Sequence, residues 1–419
     1  MKVDRALRIC QVVPYDLTER GGVKHHALQL ARALRAQGDA VTVIGPAPRP
    51  LEEPETFGFP GIVNIRANGS DNRVGMFVAP WRVRAFFKRH RFDIVHVHEP
   101  LTPSLPYWAV WFSWASAHVA TFHAFSEQTR LSIDLLSRLG SGVLRPAFQL
   151  NTAVSQAAAS YAPAPWRQSL TIVPNGVPTE VFRPRPGPRI PGPARLLFVG
   201  RLGDDRKGYR YLDLAFRRLR ARGFDVTLDV VGELGGTSRP EPAPGLTYHG
   251  PVSLESLVLR YQECDIFVAP STGQESFGIV LLEAMATALP VICSDIDGYR
   301  HTVNPRGARM VAPQDAEALE NAIAGLVEEP YLWQDMGRAN RMRAELYDWQ
   351  NVAHQVRGLY LSAIRRRWAA RAPSARALGA GATATAAAST APAPQLQEAP
   401  PLSAWGQHSR IQGDTTLDV

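Results

Sequence analysis

Cysteine is scarce in this chain: Cys10, Cys264 and Cys293 stand far apart in 419 residues. This excludes a disulfide scaffold and every cysteine-based zinc or redox spacing. The three thiols are expected to be small buried residues in a reducing compartment. Long hydrophobic runs are lacking as well. The longest, near Leu105–Val119, contains Pro106 and is too short to span a bilayer, so a buried helix is expected there. Met1–Arg8 is charged and leads into a strand-like run, so no secretory leader is expected. No Gly-Lys-Ser/Thr follows Gly21-Gly22, which excludes a Walker loop. Acid is in deficit: 46 Lys and Arg against 38 Asp and Glu leave a net charge of +8. Such a chain favours nucleic acid, anionic lipid or phosphorylated ligands, and the sign alone does not choose among them.

What is present is a globular composition, 45% hydrophobic and 20% charged, in a chain long enough for two cored domains. Strand-like runs at Ile9–Val13, Ala40–Ile44, Ile94–His98, Val119–Phe122, Gln149–Val154 and Leu170–Val173 alternate with helical spacing, as over Val23–Gln37. Arg183–Pro193 is dense in Pro and Gly and reads as a hinge. The rhythm then restarts: strands are expected at Leu196–Gly200, Val226–Val231, Ile266–Ala269 and Val291–Ser294, with helices at Tyr209–Arg222 and Leu254–Glu263. The α/β pattern predicts two Rossmann-like domains, 1–185 and 194–348, facing across a cleft. A last helix over 349–368 is expected to cross back to the first domain, and the Ala/Pro-rich tail 372–419 to be disordered.

Chemistry-bearing residues fall at the expected strand ends. Gly21 and Gly22 allow close backbone approach to a phosphate, although a tight turn is the commoner reason for such a pair. Arg201 and Lys207, in Gly200-Arg201-Leu202 and Arg206-Lys207-Gly208, suit a diphosphate. His123 suits a sugar hydroxyl or a structural role. Glu275 and Glu283 stand eight apart in Gly273-Gln274-Glu275-Ser276-Phe277-Gly278 through Glu283, a spacing that places both near one face of a helix. Trp81–Arg91 carries Arg82, Arg84, Lys88, Arg89 and Arg91 and no acid, around an apolar face of Val83, Phe86, Phe87 and His90; a helix of that pattern suits an anionic membrane surface.

Together these segments resemble the retaining glycosyltransferases of the GT-B fold, family 4. The match runs through Pro14-Tyr15, Gly21-Gly22-Val23, His98-Glu99-Pro100, Ala120-Thr121-Phe122-His123, Val173-Pro174-Asn175-Gly176-Val177 and Glu275-Ser276-Phe277-Gly278. Arg300, where many members carry Glu, makes the chain most similar to the phosphatidyl-myo-inositol mannosyltransferase branch. Gln274 and Ala288 depart from glycines common in the family. The resemblance implies catalytic roles for His123, Glu275, Arg201 and Lys207. It implies donor binding by Gly21, Gly22, Ser276, Phe277, Gly278 and Glu283 as well, and an acceptor contact at Tyr15. The implied donor is a nucleotide sugar, GDP-mannose in the sharpest form and a UDP-sugar in the alternative. The implied reaction needs no metal. The implied partner is an anionic lipid surface at the inner face of the plasma membrane, with no nucleic acid. A soluble acceptor, a sugar-nucleotide epimerase and a nucleic-acid binder remain alternatives.

Overall fold

The structure, a computed structural model, describes residues 5–19, 21–67, 70–125 and 140–370. The tail expected to be disordered lies outside them. The strands are β1 (Arg8–Val12), β2 (Ala40–Pro46), β3 (Thr56–Phe59), β4 (Val63–Ala67), β5 (Ser70–Val74), β6 (Ile94–His98), β7 (Ala117–Phe122), β8 (Leu150–Ala153), β9 (Leu170–Ile172), β10 (Ala194–Val199), β11 (Val226–Val231), β12 (Leu246–Gly250), β13 (Ile266–Ala269), β14 (Val291–Ser294) and β15 (Ala308–Val311). The helices named below are α1 (Gly22–Ala36), α2 (Pro80–Arg89), α3 (Leu105–Phe112), α4 (Gln156–Tyr161), α5 (Ala164–Arg167), α6 (Tyr209–Ala221), α7 (Leu254–Glu263), α8 (Ile279–Ala286), α9 (Asp297–Arg300), α10 (Ala316–Glu328), α11 (Trp333–Leu346) and α12 (Trp349–Ala369).

Two parallel sheets organise these elements. The first runs β3-β2-β1-β6-β7-β8-β9 and the second β12-β11-β10-β13-β14-β15. Central strands such as β13 are buried along their whole length, which is why they read as continuous apolar runs and not as alternations. The antiparallel β4–β5 hairpin sits beside the first sheet, and Tyr15 bridges to Val74 on it. Its second strand, Ser-Asp-Asn-Arg-Val, lacks any apolar alternation, so no sequence pattern announces it. The apolar run at Leu105–Val119 is not one buried helix. Helix α3 ends at Phe112, Trp111 is 71% exposed, and Val119 already lies on β7.

The chain passes between the sheets along two adjacent segments. Val177 N–H donates to the Tyr347 carbonyl at 2.9 Å, and the Thr179 hydroxyl donates to the Asp348 carboxylate at 2.5 Å. Asp348 also caps α12, which then packs on α1 and β7 of the first sheet. The Pro/Gly-rich stretch expected to be a hinge is fastened at two points to the second sheet. Arg185 and Arg189 both pair with Asp265, whose side chain is 2% exposed, and a buried carboxylate needs such partners.

A seam of buried histidines joins α12 and α1 to the first sheet. His96 hydrogen-bonds Tyr360 of α12 at 2.7 Å and Thr121 at 2.6 Å. His26 packs edge-on against Trp349, and His118 bonds the Ser113 hydroxyl at 2.9 Å. Burial lowers the pKa of His26 and His118 to about 4 and that of His96 to about 3, and pushes those of His98 and His123 well down. These rings are neutral in the folded protein.

Two outcomes follow from this packing. The native state holds these histidines unprotonated, whereas the unfolded chain protonates them near pH 6.5, so their stabilisation is complete above pH 6.5 and is lost as pH falls toward 4. Three such groups give roughly 4 kcal/mol per pH unit against a typical total of about 5–15 kcal/mol. Melting followed by circular dichroism should therefore fall steeply below pH 6; a flat melting temperature down to pH 4 would contradict the neutral seam. Separately, a Cβ added at Gly337 on α11 would lie 2.1 Å from the Ala288 carbonyl at the end of α8. Helix propensity alone predicts that Gly337→Ala stabilises by about 1 kcal/mol. The clash reverses the sign, and chemical denaturation should show a loss of roughly 1–3 kcal/mol.

Candidate active site

The loops that follow β10, β11 and β13 gather at the C-terminal edge of the second sheet. The first ends in a short turn, Asp205–Lys207, and Gly208 at φ 69° then opens α6. A Cβ on Gly208 would strike the Pro270 carbonyl at 1.9 Å, so this loop and the one after β13 touch backbone to backbone. Thr272 N–H donates to the Arg206 carbonyl at 2.8 Å and holds them in register. The result brings together two residues that the sequence separates widely: Lys207 Nζ lies 2.5 Å from Glu275 Oε1. Arg206 makes a two-pronged contact with Asp204 at 2.8 and 2.6 Å. Burial raises the Asp204 pKa, but its Arg206 contacts outweigh that and keep it below the ordinary value. Arg201 stands on the same loop, 3.5 Å from Glu233, with both side chains 43% exposed.

Glu275 and Glu283 do not share a helix face. Gly278, at φ 84°, breaks the backbone, and α8 begins only at Ile279. Glu275 lies in the loop before the helix, with Gln274 at φ 56° beside it. Ser276 is partly exposed next to it, while Phe277 is buried and its carbonyl accepts from the Thr302 hydroxyl at 2.8 Å. Glu283 is on α8, where the Tyr261 hydroxyl donates to it at 2.9 Å. Part of the Glu283 side chain remains open, yet its carboxylate is enclosed enough that burial raises its pKa to about 7, against the opposing Tyr261 hydrogen bond.

In the first lobe His123 ends the run after β7. Its Nε2 lies 2.9 Å from His98 Nδ1, and His98 Nε2 lies 3.0 Å from Gln11 Oε1. Glu99, at φ 50°, accepts from the backbone N–H groups of His123 and Ala124 at 2.6 and 2.7 Å and so shapes that turn. Burial and then the Glu99 charge raise the Tyr15 pKa, which places Tyr15 near the same carboxylate. Gly21 and Gly22 are exposed, with nothing within 4 Å of a built Cβ, and Gly21 caps α1 without any side-chain hydrogen bond. No hydrogen bond, ion pair or ring contact joins His123 to the Lys207–Glu275 pair among the described residues.

Helices α1, α6 and α8 thus each open on a glycine and offer uncapped N–H groups, whereas α4, α7, α10 and α12 are closed by Ser or Asp caps. Uncapped helix starts with a lysine alongside suit an anion. The ring nitrogens of His26, His98 and His123 fall within 4.8 Å of one another. His98 and His123 are hydrogen-bonded at 2.9 Å, closer than the roughly 3.3 Å that two nitrogens keep on a tetrahedral zinc. Their arrangement is that of a hydrogen-bonded cluster.

The basic segment forms α2 only as far as Arg89, so His90 and Arg91 lie beyond it. Phe86 and Phe87 pack inward, and Arg82, Arg84, Lys88, Arg89 and Arg91 are all exposed. Sequence reasoning assigned no role to Glu99, His98, Tyr261 or Tyr299. The Tyr299 hydroxyl is 2.7 Å from Ser271 beneath the Glu275 loop. An acid between His98 and Pro100, where a charge is costly to bury, was the available signal for Glu99.

Comparison with known proteins bears on the family and the fold. Residues 20–181 match the model of Glycosyltransferase Family 4, and residues 193–329 that of Glycosyl transferases group 1. The chain is 33% identical over 368 residues to the phosphatidyl-myo-inositol mannosyltransferase of Mycobacterium leprae, covering 84% of this chain and 96% of that protein. It is 30% identical to the one from Propionibacterium freudenreichii, over 85% and 95%. Among solved structures, sucrose-phosphate synthase from Thermosynechococcus elongatus superposes with a TM-score of 0.63 at 22% identity, over 86% of this chain and 99% of that one. Anabaena HepE in complex with UDP-glucose does so with a TM-score of 0.66 at 14% identity, over 85% and 100%. These neighbours share the two-sheet GT-B fold. Fold, family models and full-length relatives converge: the chain is a glycosyltransferase and belongs to family 4, in the group of the phosphatidyl-myo-inositol mannosyltransferases.

Proposed function

We propose that the protein transfers a hexose, with retained configuration, from a nucleotide diphosphate sugar to a membrane lipid, and in its sharpest form an α-mannosyl group from GDP-mannose to phosphatidylinositol. The observation that carries this reading is the Lys207–Glu275 pair beside the uncapped starts of α6 and α8. Without donor the two charges neutralise each other. A diphosphate takes over Lys207 together with Arg201 and the helix N–H groups, and this releases the Glu275 carboxylate to accept from sugar hydroxyls. Glu283 accepts from the ribose. Gly22, with Gly21, presents backbone N–H groups to the diphosphate, His123 lines the sugar, and Tyr15 meets the acceptor. Ser276, Phe277 and Gly278 shape the donor loop.

Departure of the diphosphate is eased by Lys207 and Arg201, which meet the charge as it develops. The acceptor attacks from the face the diphosphate leaves, and its proton passes to the leaving phosphate. No carboxylate in this arrangement serves as a covalent nucleophile, so the paired-carboxylate route of retaining hydrolases does not apply. The reaction is proposed to proceed without a metal. The exposed cations of α2 hold the enzyme against the inner face of the plasma membrane. No helix among the described residues is long and apolar enough to cross it.

Phosphatidylinositol vesicles with a panel of GDP- and UDP-sugars should give mannosylated lipid by mass spectrometry with GDP-mannose alone, unaffected by EDTA. Glu275→Ala should lower the rate by roughly 100- to 1,000-fold. Turnover only with soluble acceptors, or only with a UDP-sugar, would replace the lipid or the donor assignment. A second outcome comes from Glu283. Ribose hydroxyls bind its ionised form, and a pKa of about 7 leaves about a tenth ionised at pH 6. Calorimetry should therefore show nucleotide diphosphate binding close to tenfold tighter at pH 8 than at pH 6. In Glu283→Gln this pH dependence should disappear.

A further inference from the structure

A second basic and aromatic surface, built from residues outside α2, lies at the edge where β7 and β8 begin; one of its helices, α3, packs on α2. The end of α12 reaches that edge: Arg366 Nη1 donates to the Gln149 carbonyl at 3.1 Å, and Arg367 donates to the Trp114 carbonyl at the end of α3. Trp111, Trp114 and Trp368 are 71%, 66% and 68% exposed. Arg365 and Arg366 are exposed and carry no ion pair among the described residues. The surrounding sequence is free of acid over 100–126 and again over 349–371. The nearby acids Asp39 and Asp93 are already matched, by Arg357 at 2.9 Å and Arg5 at 2.6 Å. Three exposed indoles on an uncompensated cationic edge are unusual for a surface that meets only water. Indoles seat at the headgroup level of a bilayer, and arginine is drawn to its anionic lipids.

We propose that Trp111, Trp114 and Trp368, with Arg365 and Arg366, form a second contact with an anionic bilayer. With α2 this makes a two-point attachment that fixes the tilt of the first lobe on the membrane. The inference rests on the membrane reading of α2 but uses different residues. The charge asymmetry commits the surface to lipid and not to a second copy of this chain, because two such edges would repel each other.

The test is co-sedimentation of the full chain with phosphatidylcholine vesicles containing or lacking phosphatidylglycerol. Three variants are compared: Arg365→Ser/Arg366→Ser, Trp111→Ser/Trp368→Ser, and Arg82→Ser/Arg84→Ser/Lys88→Ser/Arg89→Ser. Unchanged nucleotide diphosphate affinity and melting temperature establish that each is folded. At about fivefold per cation, the double arginine variant should bind phosphatidylglycerol vesicles about 25-fold more weakly. The tryptophan variant should also lose binding and the blue shift of indole emission on vesicles. If both bind as the parent does while the α2 variant does not, this inference fails and the α2 reading stands. If the parent itself ignores phosphatidylglycerol, both fail. A dimer in sedimentation equilibrium that the tryptophan variant abolishes, with vesicle binding intact, would overturn the lipid assignment in favour of self-association.

Discussion

Everything functional in this protein depends on the parallel winding of its two sheets. In a parallel sheet each helix returns the chain to the same starting edge, so every strand delivers its next loop to the opposite edge. Residues distant in sequence are thereby brought to one line without any local signal. Lys207 follows β10 and Glu275 follows β13, yet the adjacency of those strands sets the two side chains in contact. The same holds in the first lobe for Glu99 after β6 and the His123 backbone after β7.

On that frame the electrostatics are arranged in opposite senses at different places. The histidine seam is kept neutral by burial, so it adds polar cohesion between α12 and the first sheet without charge. At the second sheet, charge is retained but held internally matched. Lys207 and Glu275 neutralise one another, and Arg206 is occupied by Asp204, while helix starts nearby are left open. In the proposed reaction an anion entering there meets donors already oriented, and the internal pair exchanges partners. Outside the sites, Asp265 is surrounded by three arginines and fastens the connecting segment.

The surface carries a further asymmetry. The chain is basic overall, but its excess is concentrated where acid is missing from the sequence: along α2 and at the end of α12. Most other surface cations are paired, as Arg32 with Glu53 and Arg309 with Glu329. Matched pairs on an exposed surface contribute little to stability but cancel the long-range field, so the unmatched edge dominates what the first lobe presents to a charged partner.

Much of this was legible in the residues themselves. Strand-like runs of four to six residues bounded by turn signals located β6, β11, β13 and β14 to the residue, and the helical spacing of α7 did the same. Local chemistry suffices there because short runs rich in Val and Ile favour a strand. The motif residues also stood out, since acids and cations at strand ends are poor core material. Contact between them was not legible. The Glu275–Glu283 spacing suggested one helix, but the tight approach behind Gly278, where an added Cβ would strike the Tyr299 ring at 2.6 Å, decides that the helix starts later. Composition marks Arg183–Pro193 as a place where the chain can bend, whereas the contacts of this stretch with the buried Asp265 were not legible in it. What the sequence determined by itself was the set of elements and the chemical groups at their ends. Which groups meet, which histidines lose their charge and which surface stays unmatched were decided only by tertiary packing, because pairing and desolvation depend on neighbours far away in the chain.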